Sequence, residues 1–206
     1  SGKSHFLKIL SYILENRTIN GISTVERFRK KFADDPGTFM MIDRATKGET
    51  ETILFNIDIE GFSNKDNTAV LKVFAKMFYN HLGFLGEDLK VAKLEQFIEK
   101  KGKPEEFRRV FEEKNGAPWI ETRNSFGFFE DDIVDTLVEV LGMSETAAHN
   151  WFNGTETAEI SIAQLVSEIK EYVDSKPDNY RLLFMVDEVG QYIGTDTNLL
   201  LNLQSI

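Results

Sequence analysis

The chain contains no cysteine, and its three histidines are scattered along the sequence. Without cysteine it can form neither a disulfide scaffold nor a thiolate metal site, and it has no thiol nucleophile. The histidines His5, His81 and His149 lack the spacing of metal ligands. These absences exclude disulfide-stabilised secreted domains, zinc modules and cysteine-dependent enzymes.

The sequence also lacks long apolar runs and an excess of basic residues. No apolar run is long enough to span a membrane, and no signal peptide precedes the first predicted helix. We therefore expect a cytoplasmic protein. The formal net charge of -10 repels nucleic-acid phosphates unless basic residues cluster locally. Direct DNA contact by this chain is not expected, although a neighbouring domain could supply it.

What is present suits a globular core, because hydrophobic residues make up 41% of the 206 positions. The chain starts without methionine and stops within the apolar run LLLNLQSI. We interpret it as a fragment of a longer protein.

The first third of the chain predicts helices and strands in alternation. HFLKILSYILEN is apolar nearly all round and predicts a buried helix, and residues 25–32 predict a short helix with a basic face. TFMMID (38–43) and TILFNID (52–58) both predict strands, which could pair as a hairpin.

Residues from about 67 to 175 predict a helical region, with a capping box at Ser161 and Gln164. The apolar run 182–186 then predicts a strand covered on both faces. We expect a loop containing Gly190 and Gly194 after it, and another helix from Thr197.

Gly2-Lys3-Ser4 matches the end of the phosphate-loop pattern G-x-x-x-x-G-K-[ST]. The predicted helix that follows would offer free N–H groups and a partial positive charge to phosphates. Lys3 would reach the β- and γ-phosphates, and the Ser4 hydroxyl would ligate Mg²⁺. His5 lies in the first helical turn, where it could face nucleotide or pack.

Asp187 and Glu188 follow directly after the predicted strand LLFMV. A carboxylate at the end of a buried strand can hold Mg²⁺, and a second one can activate the attacking water. Alternatively, the two acids begin a loop and cap a helix, where acidic residues are favoured. Asp43, Asp58, Glu60 and Gln191 are weaker candidates near such a site.

The two motifs together predict a nucleoside-triphosphate site. The adjacent glutamate favours the ATPase branch over nucleotide kinases and GTPases. We predict an α/β fold, a P-loop NTPase core of the catalytic-glutamate branch with a largely helical insertion between Walker A and Walker B. The expected parts are the core at 1–63, the insertion at 64–176, and the Walker B strand with its following helix at 177–206.

Three segments resemble the large P-loop ATPase of BREX phage-defence systems, the BrxC/PglY family. They are SGKSHFLKILSYILEN, ADDPGTFMMIDRATKGETETILFNIDIEG and LLFMVDEVGQYIGTDTNLLLNLQSI, and DEVGQYIG is the most specific part. The resemblance implies an AAA-like ATPase of a bacterial anti-phage system that distinguishes methylated self DNA from invading DNA. Gly2, Lys3 and Ser4 would match the end of Walker A, and Asp187 and Glu188 would match Walker B.

The resulting site hypothesis names Glu188 and Lys3 as catalytic, Gly2, Lys3, Ser4 and His5 as nucleotide-binding, and Ser4 and Asp187 as Mg²⁺ ligands. ATP and Mg²⁺ are the expected cofactors, and other components of a defence complex are the expected partners. An isolated fragment should bind nucleotide poorly. Two alternatives remain open: an AAA+ ATPase of the replication initiator or loader type, and a non-catalytic nucleotide-dependent scaffold.

Overall fold

The computed structural model describes residues 2–61, 68–154 and 159–205, and the chain divides into two compact units. The first unit comprises Ser1–Val73 and Ser161–Ile206, and the second comprises Phe74–Ile160. The second unit is therefore narrower than the segment 64–176 that the sequence assigned to a helical insertion.

The first unit contains both small sheets. Its strands are β1 (Thr18–Ile19), β2 (Ile22–Ser23), β3 (Thr50–Asn56) and β4 (Arg181–Asp187). Its helices are α1 (Gly2–Glu15), α2 (Thr24–Arg29), α3 (Pro36–Ala45), α4 (Ile57–Glu60), α11 (Ile162–Asp174), α12 (Val189–Ile193) and α13 (Thr197–Ser205). β1 and β2 form an antiparallel pair, and β3 and β4 form a parallel pair.

The parallel pair β3–β4 is the framework of the first unit. Its register places Thr50 opposite Arg181 and Asn56 opposite Asp187, so both strands end at the same edge. The buried Glu15 carboxylate attaches α1 to β3, because it accepts hydrogen bonds from Thr52 N at 2.8 Å and Thr52 Oγ1 at 2.6 Å. Arg17 forms an ion pair with the same carboxylate.

Helix α1 is less buried than the sequence predicted. Only Ser11 and Ile13 are buried, and Phe6 is 62% exposed. The physical reason is that α1 packs on the two-stranded sheet with one face, so its remaining apolar side chains face outward.

The strand predicted at 38–43 was wrong, and with it the hairpin. These residues lie in helix α3, which begins after Asp35, whose side chain accepts the backbone N–H of Thr38 at 3.0 Å. Pro36 occupies the first helical position, where its missing N–H costs nothing. Met40 and Met41 are 69% and 68% exposed, so no pairing strand buries them. The local start signal outweighed the strand propensity of TFMMID.

The remaining predictions for this unit are confirmed in part. The strand predicted at 52–58 is β3, and its last two residues belong instead to the one-turn helix α4. The strand predicted at 182–186 is β4, but its predicted coverage on both faces is wrong: all seven of its residues are only partly buried, and β3 is its one strand neighbour among the described residues. The loop expected at Gly190 contains the short helix α12 instead, and α13 begins at Thr197 as predicted.

The second unit is helical in the part of the chain that the structure describes. Helix α5 (Ala69–His81) begins in the first unit and continues into it. The other helices are α6 (Leu89–Lys100), α7 (Pro104–Asn115), α8 (Trp119–Thr122), α9 (Glu130–Leu141) and α10 (Glu145–Asn153). A 3₁₀ turn at Arg123–Phe128 lies in this unit, and another at Lys30–Phe32 lies in the first unit. The predicted helical region is thus confirmed for the residues that the structure describes, with positions 67 and 155–158 lying outside them, and the capping box of α11 at Ser161 and Gln164 is confirmed as well.

Aromatic side chains fill the core of the second unit. Trp119 packs edge-on against Phe107 and Phe111, with ring centroids 5.3 and 5.1 Å apart. Its indole N–H donates to Glu95 at 2.8 Å. Phe128, by contrast, is 88% exposed and does not belong to this core. Among the described residues, no helix combines the length and the apolar character needed to cross a membrane.

Candidate active site

A cavity of about 620 Å³ lies at the carboxyl end of β4. It is lined by Gly2, Lys3, Phe6, Leu7, Val186, Asp187, Glu188, Val189, Gly190 and Gln191. The start of α1 and the end of β4 thus meet at one cavity, although Lys3 and Asp187 are 184 positions apart. Its volume lies within the range of about 300–1,000 Å³ that is usual for small-molecule sites.

The first turn of α1 contributes the positively charged side of the cavity. Helix α1 begins at Gly2, so its first backbone N–H groups have no partner within the helix. These N–H groups and the Lys3 ammonium favour an anion at this end of the cavity. Ser4 and His5 lie in the same turn, but neither belongs to the lining; Ser4 is partly buried and His5 is exposed.

The strand end contributes two carboxylates. Asp187 is the last residue of β4, and its Oδ1 accepts the backbone N–H of Glu188 at 2.9 Å. Asn56 lies opposite Asp187 in the sheet register, and its side chain accepts the backbone N–H groups of Asp58 and Ile59 at 3.0 and 3.3 Å. The carboxyl ends of both strands are therefore held by side chain to backbone hydrogen bonds.

Glu188 has an unusual backbone conformation. Its φ of 58° and ψ of 25° lie in the left-handed region, which glycine enters freely and other residues only at a cost. It is the N-terminal cap residue of α12, and its side chain makes no capping hydrogen bond. The alternative interpretation, in which the two acids begin a helix, is thus borne out in position, although the Glu188 carboxylate makes no capping hydrogen bond. Strained non-glycine residues often occur at functional sites.

The weaker candidates lie in different places. Asp43 was expected to end a strand, but it lies on α3 with its carboxylate 3.9 Å from Lys47 Nζ, and it does not line the cavity. Asp58 and Glu60 lie on α4 after β3. Gln191 lines the cavity, and its Nε2 donates to Asp58 Oδ2 at 3.1 Å.

The expected magnesium ion requires oxygen ligands. In the described residues no group of three or more histidine or acidic side chains could hold a metal. Mg²⁺ at a nucleotide site needs less, because it usually takes one or two carboxylates together with substrate phosphates and waters. The Asp187 carboxylate is a hard oxygen donor that lines the same cavity as Lys3, so the cavity fits the ion in that mode.

Sequence reasoning missed several residues of this site. Phe6, Leu7 and Val189 line the cavity, and no motif singled them out. Asn56 could have been found, because an asparagine just after an apolar strand and ahead of acidic residues is a helix-capping signal. No protein-family model matches the chain, and no solved structure is significantly similar to it.

Proposed function

We propose that this chain is part of an ATP-binding and ATP-hydrolysing module of the P-loop class, in a cytoplasmic protein of a BREX-type anti-phage system. The observation that carries the proposal is the single cavity lined by Gly2 and Lys3 together with Asp187 and Glu188. The motif order and the left-handed conformation of Glu188 add support.

In this proposal the start of α1 binds the phosphates. The partial positive charge at the start of α1 and the Lys3 ammonium would offset the negative charge of the triphosphate. The Ser4 hydroxyl, one residue after Lys3, and the Asp187 carboxylate would both bind the metal ion. Bound Mg²⁺ would supply further charge neutralisation on the phosphate oxygens.

Glu188 is assigned the role of general base. Its carboxylate would accept a proton from the attacking water as the new oxygen–phosphorus bond forms at the γ-phosphate, while the bond from that phosphorus to the bridging oxygen breaks and ADP leaves. Lys3 would stabilise the negative charge that this transfer moves onto the phosphate oxygens. Both residues line the same cavity.

We further propose that the second unit contacts protein partners of a defence complex. The acidic chain as a whole disfavours nucleic acid. Phe128 of this unit is a large apolar side chain that is 88% exposed, and aromatic residues are enriched in protein–protein interfaces.

The test uses the full-length protein with two substitutions and two matched controls. Lys3→Ala removes the phosphate-binding ammonium, and we expect nucleotide affinity to fall at least about tenfold. Glu188→Gln retains the size of the side chain, and we expect ATP binding to persist while turnover falls about 10²-fold or more. Lys8→Ala on the exposed side of α1 and Glu26→Gln on α2 should change neither property.

Each result separates the alternatives. Unchanged nucleotide affinity in Lys3→Ala would refute the phosphate-binding role, and undiminished turnover in Glu188→Gln would refute the general base. A wild-type protein that binds ATP without hydrolysing it would instead be the non-catalytic scaffold. A replication initiator or loader would require a basic DNA-binding domain elsewhere in the protein.

A further inference from the structure

The hydrogen bond between Asp58 and Gln191 joins two one-turn helices at the edge of the cavity. Asp58 lies on α4, directly after β3, and Gln191 lies on α12, directly after Glu188. Gln191 Nε2 donates to Asp58 Oδ2 at 3.1 Å. Because a carboxylate only accepts hydrogen bonds, the pairing also determines which atom of the Gln191 amide faces Asp58.

The α4 side of this contact is held in place. The Asn56 side chain accepts two backbone N–H groups of α4, at Asp58 and Ile59. Asn56 itself is paired with Asp187 in the β3–β4 register. The backbone at Asp58 is therefore held next to the end of the same sheet that contains Asp187.

Helix α12 is attached to α4 at a second point. Tyr192 is buried, and its ring packs on Gly61 so closely that a Cβ on Gly61 would lie 2.4 Å from Tyr192 Cε2. The backbone N–H of Tyr192 donates to Glu188 O at 3.0 Å, which closes the single turn of α12. Glu188 thus begins a turn whose far side is held against α4 by Gln191 and Tyr192.

We propose that Asp58 and Gln191 are positioning residues for Glu188. The proposal rests on the proposed ATPase function and adds to it a pair that keeps the left-handed turn at Glu188 in one conformation. A catalytic carboxylate must be held within a fraction of an ångström of its productive place. A residue in the left-handed region tends to relax unless its surroundings oppose it.

The proposal predicts a fall in kcat of ATP hydrolysis without a comparable change in KM. Asp58→Ala and Gln191→Ala should each lower kcat of ATP hydrolysis about threefold, a modest effect because the hydrogen bond that they remove is exposed to solvent, with KM changed less than about twofold. Asp58→Asn retains an acceptor oxygen for the Gln191 amide and should keep near wild-type kcat. The double variant Asp58→Ala/Gln191→Ala should be no slower than either single variant, because both remove the same contact.

The experiment measures steady-state ATP hydrolysis and equilibrium nucleotide binding in the full-length protein. Asp43→Ala is the control, because this half-exposed aspartate lies on α3 and does not line the cavity. A circular dichroism spectrum of each variant establishes that it is folded, and Asp58→Asn tests the contact without truncation. The inference is supported if kcat falls in both alanine variants, recovers in Asp58→Asn and is not reduced further in the double variant.

Other outcomes overturn it in distinguishable ways. An increase in KM with unchanged kcat would make Gln191 a nucleotide contact, and multiplicative effects in the double variant would make the two residues independent. Wild-type rates in all variants would overturn this inference alone. A wild-type protein without ATP turnover would overturn the proposed function and this inference together.

Discussion

Glu188 offers a prediction in which stability and activity change in opposite directions. The residue has φ 58° and ψ 25°, in the left-handed region. In this region the Cβ atom crowds the following carbonyl oxygen, and glycine has no Cβ. Glu188→Gly should therefore make the folded chain more stable while removing the carboxylate proposed to activate water.

The magnitude follows from two opposing terms. The left-handed conformation costs a non-glycine residue about 1–2 kcal/mol, which the glycine variant recovers. Glycine also makes the unfolded chain more flexible, which returns about 0.5–1 kcal/mol. We expect a net gain of about 0.5–1 kcal/mol in the free energy of unfolding.

A substitution series makes the reasoning specific. Asparagine enters the left-handed region more readily than glutamate, so Glu188→Asn should be stabilising by a smaller amount than the glycine variant. Glu188→Gln should be close to neutral, and the β-branched Glu188→Val should be destabilising. The stability of the variants at position 188 should thus decrease in the order Gly, Asn, Gln, Val. This order follows from how readily each residue adopts the left-handed backbone conformation.

The assay is urea denaturation followed by circular dichroism, applied to the 206-residue chain. Lys170→Gly on the exposed side of α11 is the matched control, because glycine in a helix interior should cost about 1 kcal/mol. A glycine variant at 188 that is less stable than wild type, while Lys170→Gly behaves as expected, would refute the argument from strain. In the full-length protein, Glu188→Gly should in addition have lost ATP turnover.

Two further predictions concern the packing of α12 and an ion pair of the second unit. Gly61→Ala should destabilise the fold by about 1–3 kcal/mol, because a Cβ would lie 2.4 Å from the buried Tyr192 ring and 2.7 Å from Ile57 O. Gly127 has open space around it, so the control Gly127→Ala should not destabilise the fold. Equal urea midpoints for the two variants would contradict this prediction. The pKa of the Glu130 carboxyl is held below its ordinary 4.5, first by the hydrogen bond to His149 and then by that to Asn153. At pH values above 4.5 the lowered pKa of Glu130 stabilises the fold, and this stabilisation is lost as the pH falls through the pKa of the folded state. His149→Ala should therefore raise the Glu130 pKa in an NMR titration and weaken the loss of stability in acid. An unchanged titration of Glu130 would contradict the assignment.

The sequence allowed both strands of the parallel sheet to be predicted, because each is an uninterrupted apolar run that ends in polar residues. TILFN and LLFMV became β3 and β4 within a residue or two. TFMMID has the same apolar character and became a helix. The difference lies at its start, where Asp35 and Pro36 form a helix-initiating pair that the apolar run alone does not reveal.

Burial was the part of the fold that the sequence could not supply. An apolar helix such as α1 predicts a partner on every side, yet Phe6 is 62% exposed in this chain. How much of an apolar surface is covered depends on which other elements pack there, and no local pattern encodes that. The same reason explains why β4, apolar throughout its centre, is only partly buried beside a single strand.

The candidate site likewise contains residues that local sequence patterns indicate and a contact that they do not. Lys3, Asp187 and Glu188 could be predicted because each motif is contiguous and lies next to an element that local patterns reveal. The contact between Asp58 and Gln191 joins positions 133 residues apart, so no local pattern contains it. It follows, however, from one long-range fact, the register that pairs Asn56 with Asp187. With that pairing known, Asp58 lies two residues beyond one strand end and Gln191 four residues beyond the other, at the same edge of the sheet. The Asp58–Gln191 pair therefore tests whether the β3–β4 register positions the turn at Glu188 as well as the strands.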